Sequence, residues 1–468
     1  MDDYKTYLDE VVEAVRRWEE EWGAYEIHPA LDVEDGRFRE TLARYAGRLR
    51  GNYPFFHPRY AGQMLKPPHL AAVAGYLAAM LINPNNHALD GGPPTGRMEK
   101  EVMACLTRMF RFPEHALGHL TTSGTIANQE ALWVARELRP GKAVAFSKDA
   151  HYTHGRMSQV LGVPTEPIPT DGHGHMDLEA LEAALKSGRI GTVVFTAGTT
   201  GLGTLDPVKD GIELVRQYDA RAHVDAAYGG FFSILAWGDS DLLAPEVRRS
   251  LQAIASADSV VVDPHKHGLQ PYGCGCVLFR DPSVGRFYRH DSPYTYFTSD
   301  ELHLGEISLE CSRAGAAAGA LWLTLQLLPL EPETGLGPVL AACLRAARAW
   351  SGLLAGSQVL RSYNEPELDI VTFYPAVKDH RASALDAASA RLFDRAMNDP
   401  DDPIFMSLYR VESGALAERA PGFVADQPHA RILRSVLMKP EHEFAVPHLH
   451  ERLSNLAREA DTKSAPAT

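Results

Sequence analysis

Between about residues 100 and 280, short runs of apolar and β-branched residues alternate with helical stretches, and this alternation most narrows the folds open to the chain. Strands are expected at 118–121, 143–146, 192–196, 222–225, 259–263 and 275–279, with helices at 125–138, 178–186 and 208–218 between them. Apolar runs without polar alternation belong to strands covered on both faces, and strand–helix–strand crossovers make such a sheet mainly parallel. Ligands of open sheets of this kind lie beyond the carboxyl ends of the strands. The residues that follow each strand are therefore the first place to look for chemistry.

On either side the pattern changes. Tyr4, Leu8, Val11, Val15, Trp18 and Trp22 recur at steps of four and three, which predicts one apolar stripe on a charged helix. The stripe suits packing on its own domain and docking on a partner subunit equally well. After residue 335 helical stretches interleave with strands expected at 369–374, 405–411 and 431–437, the pattern of a smaller α+β domain. The division expected is a helical segment over 1–55, a large α/β domain over 56–335 and a small domain over 336–468, with a disordered polar tail from 461.

Composition removes several function classes. Lys and Arg number 46 against 60 Asp and Glu, a net charge of −14 with no basic block, so neither nucleic acid nor an anionic membrane surface is expected as a partner. Five cysteines at irregular spacing form no disulfide framework and suit a reducing compartment. Cys274-Gly-Cys276 is a weak metal signal without a second pair, and its apolar neighbours suggest a buried strand; no metal is expected. The longest nearly apolar run, residues 70–82, falls short of the ~20 residues that span a bilayer. The opening Met-Asp-Asp-Tyr lacks the basic start and apolar stretch of a secretory leader, and a cytoplasmic protein is expected.

Three strand ends carry chemistry. In Leu120-Thr-Thr-Ser-Gly-Thr-Ile-Ala-Asn128 a strand passes through small residues straight into a helix. The outward N–H groups of that helix start, with the hydroxyls of Ser123 and Thr125 and the close approach that Gly124 permits, suit a phosphate group. In His223-Val-Asp-Ala-Ala-Tyr-Gly-Gly230 a strand delivers Asp225, followed by residues small enough for a flat ring to lie close. A carboxylate there can keep a pyridinium nitrogen protonated, as an electron-sink cofactor requires. In Ser259-Val-Val-Val-Asp-Pro-His-Lys-His-Gly268 an apolar strand ends on Lys266, flanked by Asp263, His265 and His267. Taken singly these are an ordinary helix cap, an Asp capping a turn and a surface lysine. Together, at the strand ends of one sheet, they describe a site for pyridoxal 5′-phosphate (PLP).

With these motifs the chain resembles the group II PLP-dependent amino acid decarboxylases, bacterial tyrosine and aromatic amino acid decarboxylases in particular. The resemblance rests also on His57-Pro-Arg-Tyr60 and Asn83-Pro-Asn-Asn-His87, and runs from His57 to about Leu330. It implies the type I PLP (aspartate aminotransferase-like) fold, a mainly parallel seven-stranded sheet with a smaller α+β domain. By resemblance, Lys266 forms the Schiff base, Asp225 partners the ring nitrogen, Ala227 touches one ring face, and His151 stacks on the other near the substrate carboxylate. Ser123, Gly124, Thr125, Asp263 and His265 hold the phosphate, although Asp263 stands where some relatives carry asparagine and an acid there is awkward. Thr200 contacts the cofactor and Asp206 supports its loop, while Arg313 matches a recurrent arginine whose role stays open.

The implied reaction converts an L-amino acid to its amine and CO₂. A decarboxylase of this kind holds the departing carboxylate perpendicular to the ring in a dry site. Family members protonate the product carbon with a loop tyrosine, for which Tyr294 and Tyr296 are both candidates here. His57 and Tyr60, with Tyr53, Phe55 and Phe56, lie where relatives place pocket residues, which favours an aromatic substrate. The resemblance also implies a homodimer with shared active sites. Open alternatives are aldehyde-forming oxidative decarboxylation, carbon–carbon lysis, transamination, or a catalytically silent scaffold of the same fold.

Overall fold

A computed structural model describes residues 2–289, 308–420 and 422–462. Its larger sheet comprises β1 (Leu117–Thr121), β2 (Ala143–Ser147), β3 (Thr165–Ile168), β4 (Ile190–Thr196), β5 (Arg221–Asp225), β6 (Ser259–Val262) and β7 (Gly275–Phe279). The strand order is β1-β7-β6-β5-β4-β2-β3, and only β7 runs against its neighbours. Every residue of β4, β6 and β7 is buried, which is why these strands read as unbroken apolar runs. The edge strand β3, Thr-Glu-Pro-Ile, is half exposed and was not expected. The carboxyl ends of β1, β4, β5 and β6 gather on one edge. Thr121 there pairs with Gly275, where a Cβ would come 2.5 Å from the Ser123 carbonyl carbon; glycine lets β7 close on the first strand end.

The second sheet has four antiparallel strands, β8 (Leu360–Asn364), β9 (Ile370–Pro375), β10 (Ser407–Glu412) and β11 (His429–Val436), in the order β10-β11-β9-β8. Three of these lie within a residue or two of expectation; β8, Leu-Arg-Ser-Tyr-Asn, carries no clear strand pattern. Helices Leu336–Ala355, Ala382–Met397 and His442–Thr462 cover it around Trp350, Phe373, Leu392, Leu433 and Leu449. The last of these helices includes residues 461 and 462, the first two of the expected tail. Ala61 enters the same core: its N–H donates to the Phe405 carbonyl at 2.8 Å and its carbonyl accepts from Val436 at 2.7 Å.

Helices Asp2–Glu21 and Asp35–Leu49 precede these sheets. The first lies against helix Leu70–Ile82, with Leu8, Val11 and Val15 of the stripe half-buried and Trp22 80% exposed. Cys274 and Cys276 are buried at β7, where burial pushes both thiols up. Among the described residues no helix is long and apolar enough to cross a membrane.

Candidate active site

The three motif segments meet at the carboxyl edge of the large sheet. Helix Gly124–Leu138 begins directly after β1, and the Ser123 hydroxyl accepts from the Ile126 N–H at 3.3 Å as its cap. A Cβ on Gly124 would stand 2.6 Å from both carboxylate oxygens of Asp263, so Asp263 rests against the helix start. Thr125 follows, half-buried, and at Thr122 the N–H donates to a second carboxylate, Glu310, at 2.9 Å. Asp263 Oδ2 lies 3.0 Å from Lys266 Nζ and 3.5 Å from His265 Nε2, while His265 Nδ1 donates to the Cys274 carbonyl at 2.7 Å.

Asp225 ends β5, 4% exposed, and accepts from Ala227 N–H at 3.1 Å and from His154 Nε2 at 2.8 Å. Burial alone would raise its pKa, but the hydrogen bond and charge of His154 hold the carboxyl well below the usual range. It is therefore a fixed negative charge. Burial lowers the pKa of His151, helped by the nearby Lys266 and opposed by Asp225, which favours the neutral imidazole. His223, one strand pair back, bonds Asn128 and Ser259 and is held neutral by burial, with a pKa of about 3.

The other expected residues scatter more widely. Thr200 is exposed on the turn after β4, and Asp206 braces that turn by accepting from Thr196 N–H at 2.7 Å and Met176 N–H at 2.8 Å. Tyr60 is buried among Tyr53, Phe55 and Phe405, whereas His57 and Phe56 are exposed. Arg313 is buried against Glu99, with Nη1 at 2.7 Å from Oε1, and also donates to the Leu120 carbonyl at 2.8 Å; it braces the end of β1 from behind. Tyr294 and Tyr296 lie outside the described residues.

Four residues that the motifs did not reveal complete the arrangement. His154 backs Asp225 from helix Thr153–Leu161. Asp369, just before β9, accepts from the Tyr228 hydroxyl at 2.5 Å and from His267 Nε2 at 2.8 Å, tying both motif loops to the small domain. Arg434 of β11 donates to the carbonyls of Gly201, at 3.0 Å, and Gly62, at 3.2 Å, and its Nη2 has no hydrogen-bond partner among the described residues. The Tyr272 ring packs 4.9 Å from His265, and its hydroxyl donates to the Met64 carbonyl at 3.0 Å. Each joins segments far apart in sequence. Only His154, three residues beyond His151 on the same helical approach, offered a local signal.

The model of the pyridoxal-dependent decarboxylase conserved domain matches residues 54–374, well over half of the chain, and the chain belongs to that family. It is 27% identical to an L-tyrosine decarboxylase of Enterococcus faecium, over 84% of this chain and 83% of that protein. It is 31% identical to a probable L-tyrosine/L-aspartate decarboxylase of Methanothermobacter thermautotrophicus, over 69% of this chain and 85% of the relative. The crystal structure of mouse CSAD in apo form superposes with a TM-score of 0.76 at 21% identity, covering 94% of this chain and 92% of that one, which establishes the type I PLP fold.

The protein is thus a PLP-dependent carboxy-lyase acting on an amino acid, and PLP is its cofactor. The residues present fit that group. A helix start with the hydroxyls of Ser123 and Thr125, a buried carboxylate held ionised, and a lysine lie together at one strand edge, where they could hold the phosphate, the ring nitrogen and the aldehyde.

Proposed function

We propose that the protein decarboxylates an aromatic L-amino acid to the corresponding amine through a Schiff base on Lys266. The observation that carries this reading is the joint placement of Lys266, Asp225 and the Ser123–Thr125 helix start at one edge of the sheet. When bound, PLP supplies a protonated ring that accepts the electron pair of the broken Cα–carboxylate bond. Asp225, ionised and fixed by His154, holds that proton on the ring nitrogen. His151, favoured neutral, offers a flat face for the ring without a competing positive charge. Ser123, Gly124, Thr125 and His265 would hold the phosphate, Thr200 would contact the cofactor, and Tyr294 or Tyr296 would return the proton to Cα.

Tyr60, Tyr53 and Phe55 pack into one aromatic cluster, the feature that favours an aromatic side chain on the substrate, with His57 exposed beside it. Arg434, 4% exposed, is a buried cation whose bonds to the Gly62 and Gly201 carbonyls tie the segments of Tyr60 and Thr200 together. One observation favours an acidic substrate instead: Lys439 lies 5.4 Å over the Tyr60 ring, a second cation beside the same cluster.

The working unit is a homodimer in the cytoplasm. Support comes from the N-terminal helices, which leave Trp22 80%, Tyr25 80%, Leu31 74% and Phe38 58% exposed in a single protomer. Light scattering that finds a stable, active monomer would refute this. The Lys266 assignment is tested by borohydride reduction of the PLP-loaded protein and peptide mass mapping: the expected adduct sits on Lys266, and an adduct elsewhere overturns it. Lys266→Ala is expected to keep its fold and lose turnover.

A further inference from the structure

The acid within the phosphate cradle has a consequence for how the enzyme holds its cofactor. Asp263 is 3% exposed, and its Oδ1 has no hydrogen-bond partner among the described residues. Both of its oxygens stand 2.6 Å from where a Gly124 Cβ would be, so the carboxylate lies against the first turn of helix Gly124–Leu138. That is where the helix presents its unpaired N–H groups and its positive dipole end.

The surroundings compensate this charge at Oδ2 and leave Oδ1 without a partner among the described residues. Lys266 Nζ at 3.0 Å is its cation. His265 spends its Nδ1 proton on the Cys274 carbonyl, and burial lowers its pKa, so the Nε2 facing Asp263 at 3.5 Å is disfavoured as a donor. Neither the Tyr272 phenol nor the Cys274 thiol can carry positive charge, and burial lowers the pKa of His151, which favours its neutral form.

We propose that Asp263 is an internal anion that competes with the cofactor phosphate for the Ser123–Thr125 helix start, so that its charge sets how tightly the enzyme retains PLP. The inference rests on the reading of that helix start as the phosphate site. Two like charges a few ångströms apart in a protein site oppose each other strongly enough to change affinity by roughly tenfold or more. The enzyme then holds PLP loosely enough that its loaded fraction follows cofactor supply. A neutral residue at position 263 converts it to a tight binder.

The test compares PLP with pyridoxal, which offers the same aldehyde to Lys266 but has no phosphate. Dissociation constants for both are measured by absorbance titration of the cofactor-free full-length protein, for wild type and Asp263→Asn. The expected result is that the pyridoxal-to-PLP ratio of dissociation constants rises at least ~10-fold in the variant, because only the phosphate senses the removed charge. An unchanged or smaller ratio overturns the proposal. Asp263→Ser supplies the same comparison should the amide misfold. Inorganic phosphate alone is expected to raise the melting temperature of either variant more than that of wild type, and equal shifts contradict the competition. A wild-type protein that binds neither aldehyde overturns the cofactor-site reading as well, an outcome distinct from an unchanged ratio.

Discussion

His175 links the two domains through charge, and the size and pH range of that link follow from the geometry. Its Nε2 donates to Glu367 of the small domain at 2.5 Å, and its Nδ1 donates to Asp171 of the large domain at 3.1 Å. Since carboxylates only accept, the ring must carry both protons. The Glu367 hydrogen bond is the main reason its pKa rises from 6.5 to about 9. That rise is worth about 3 kcal/mol, and solvent screening of a side chain 29% exposed reduces it to roughly 2 kcal/mol. The folded pKa lies above the unfolded one, so this stability is fully present below pH 6.5 and is lost as pH rises through about 9. His175→Gln keeps a hydrogen-bond donor and removes the charge. Urea unfolding at pH 6 and pH 9.5 is expected to show a gap between wild type and variant of roughly 2 kcal/mol at the lower pH, shrinking to under ~0.5 kcal/mol at the higher. A gap that does not change with pH would refute the clamp. Glu367 also accepts from Leu205 N–H at 2.8 Å, at the foot of the turn that carries Thr200, so loosening the clamp is felt at the site.

Three further outcomes are expected. Arg313→Ala removes the guanidinium bonded to Glu99, which is 0% exposed, and should cost about 3–5 kcal/mol in chemical denaturation, whereas a cost below 1 kcal/mol would remove Arg313 as the brace of β1. Gly124→Ala pushes a methyl group into Asp263 at 2.6 Å, and should weaken PLP binding about tenfold or more by titration while far-UV circular dichroism stays native; unchanged affinity would count against the cradle. His154→Phe removes a hydrogen bond to a buried carboxylate worth about 1.5–3 kcal/mol, and turnover should fall roughly 10- to 100-fold in a folded protein. A change below twofold would show that Asp225 needs no such support.

Most of the large sheet was legible because buried strands announce themselves: 192–196 and 259–263 have no polar alternation, and the structure places β4 and β6 there within a residue or two. β3 escaped because an edge strand with one face in solvent carries Glu166 and Pro167, and β8 because Arg361 and Ser362 dilute its pattern. The reversal of β7 left no trace in its residues, since strand direction depends on the connections and not on composition. Lys266, Asp225 and Ser123 could be found because each sits in a compact strand-end motif. Asp369 and Arg434 could not, since they reach Tyr228 and Gly201 from 141 and 233 residues away and only the folded chain joins them.

The most direct test of the central claim is to incubate the PLP-loaded protein with a pool of the common L-amino acids and identify products by mass spectrometry. The account predicts disappearance of an aromatic amino acid with formation of the matching amine and an equal amount of CO₂. An amine from aspartate would keep the decarboxylase and overturn the aromatic pocket. An aldehyde, a keto acid or no product from any amino acid would contradict simple decarboxylation at Lys266.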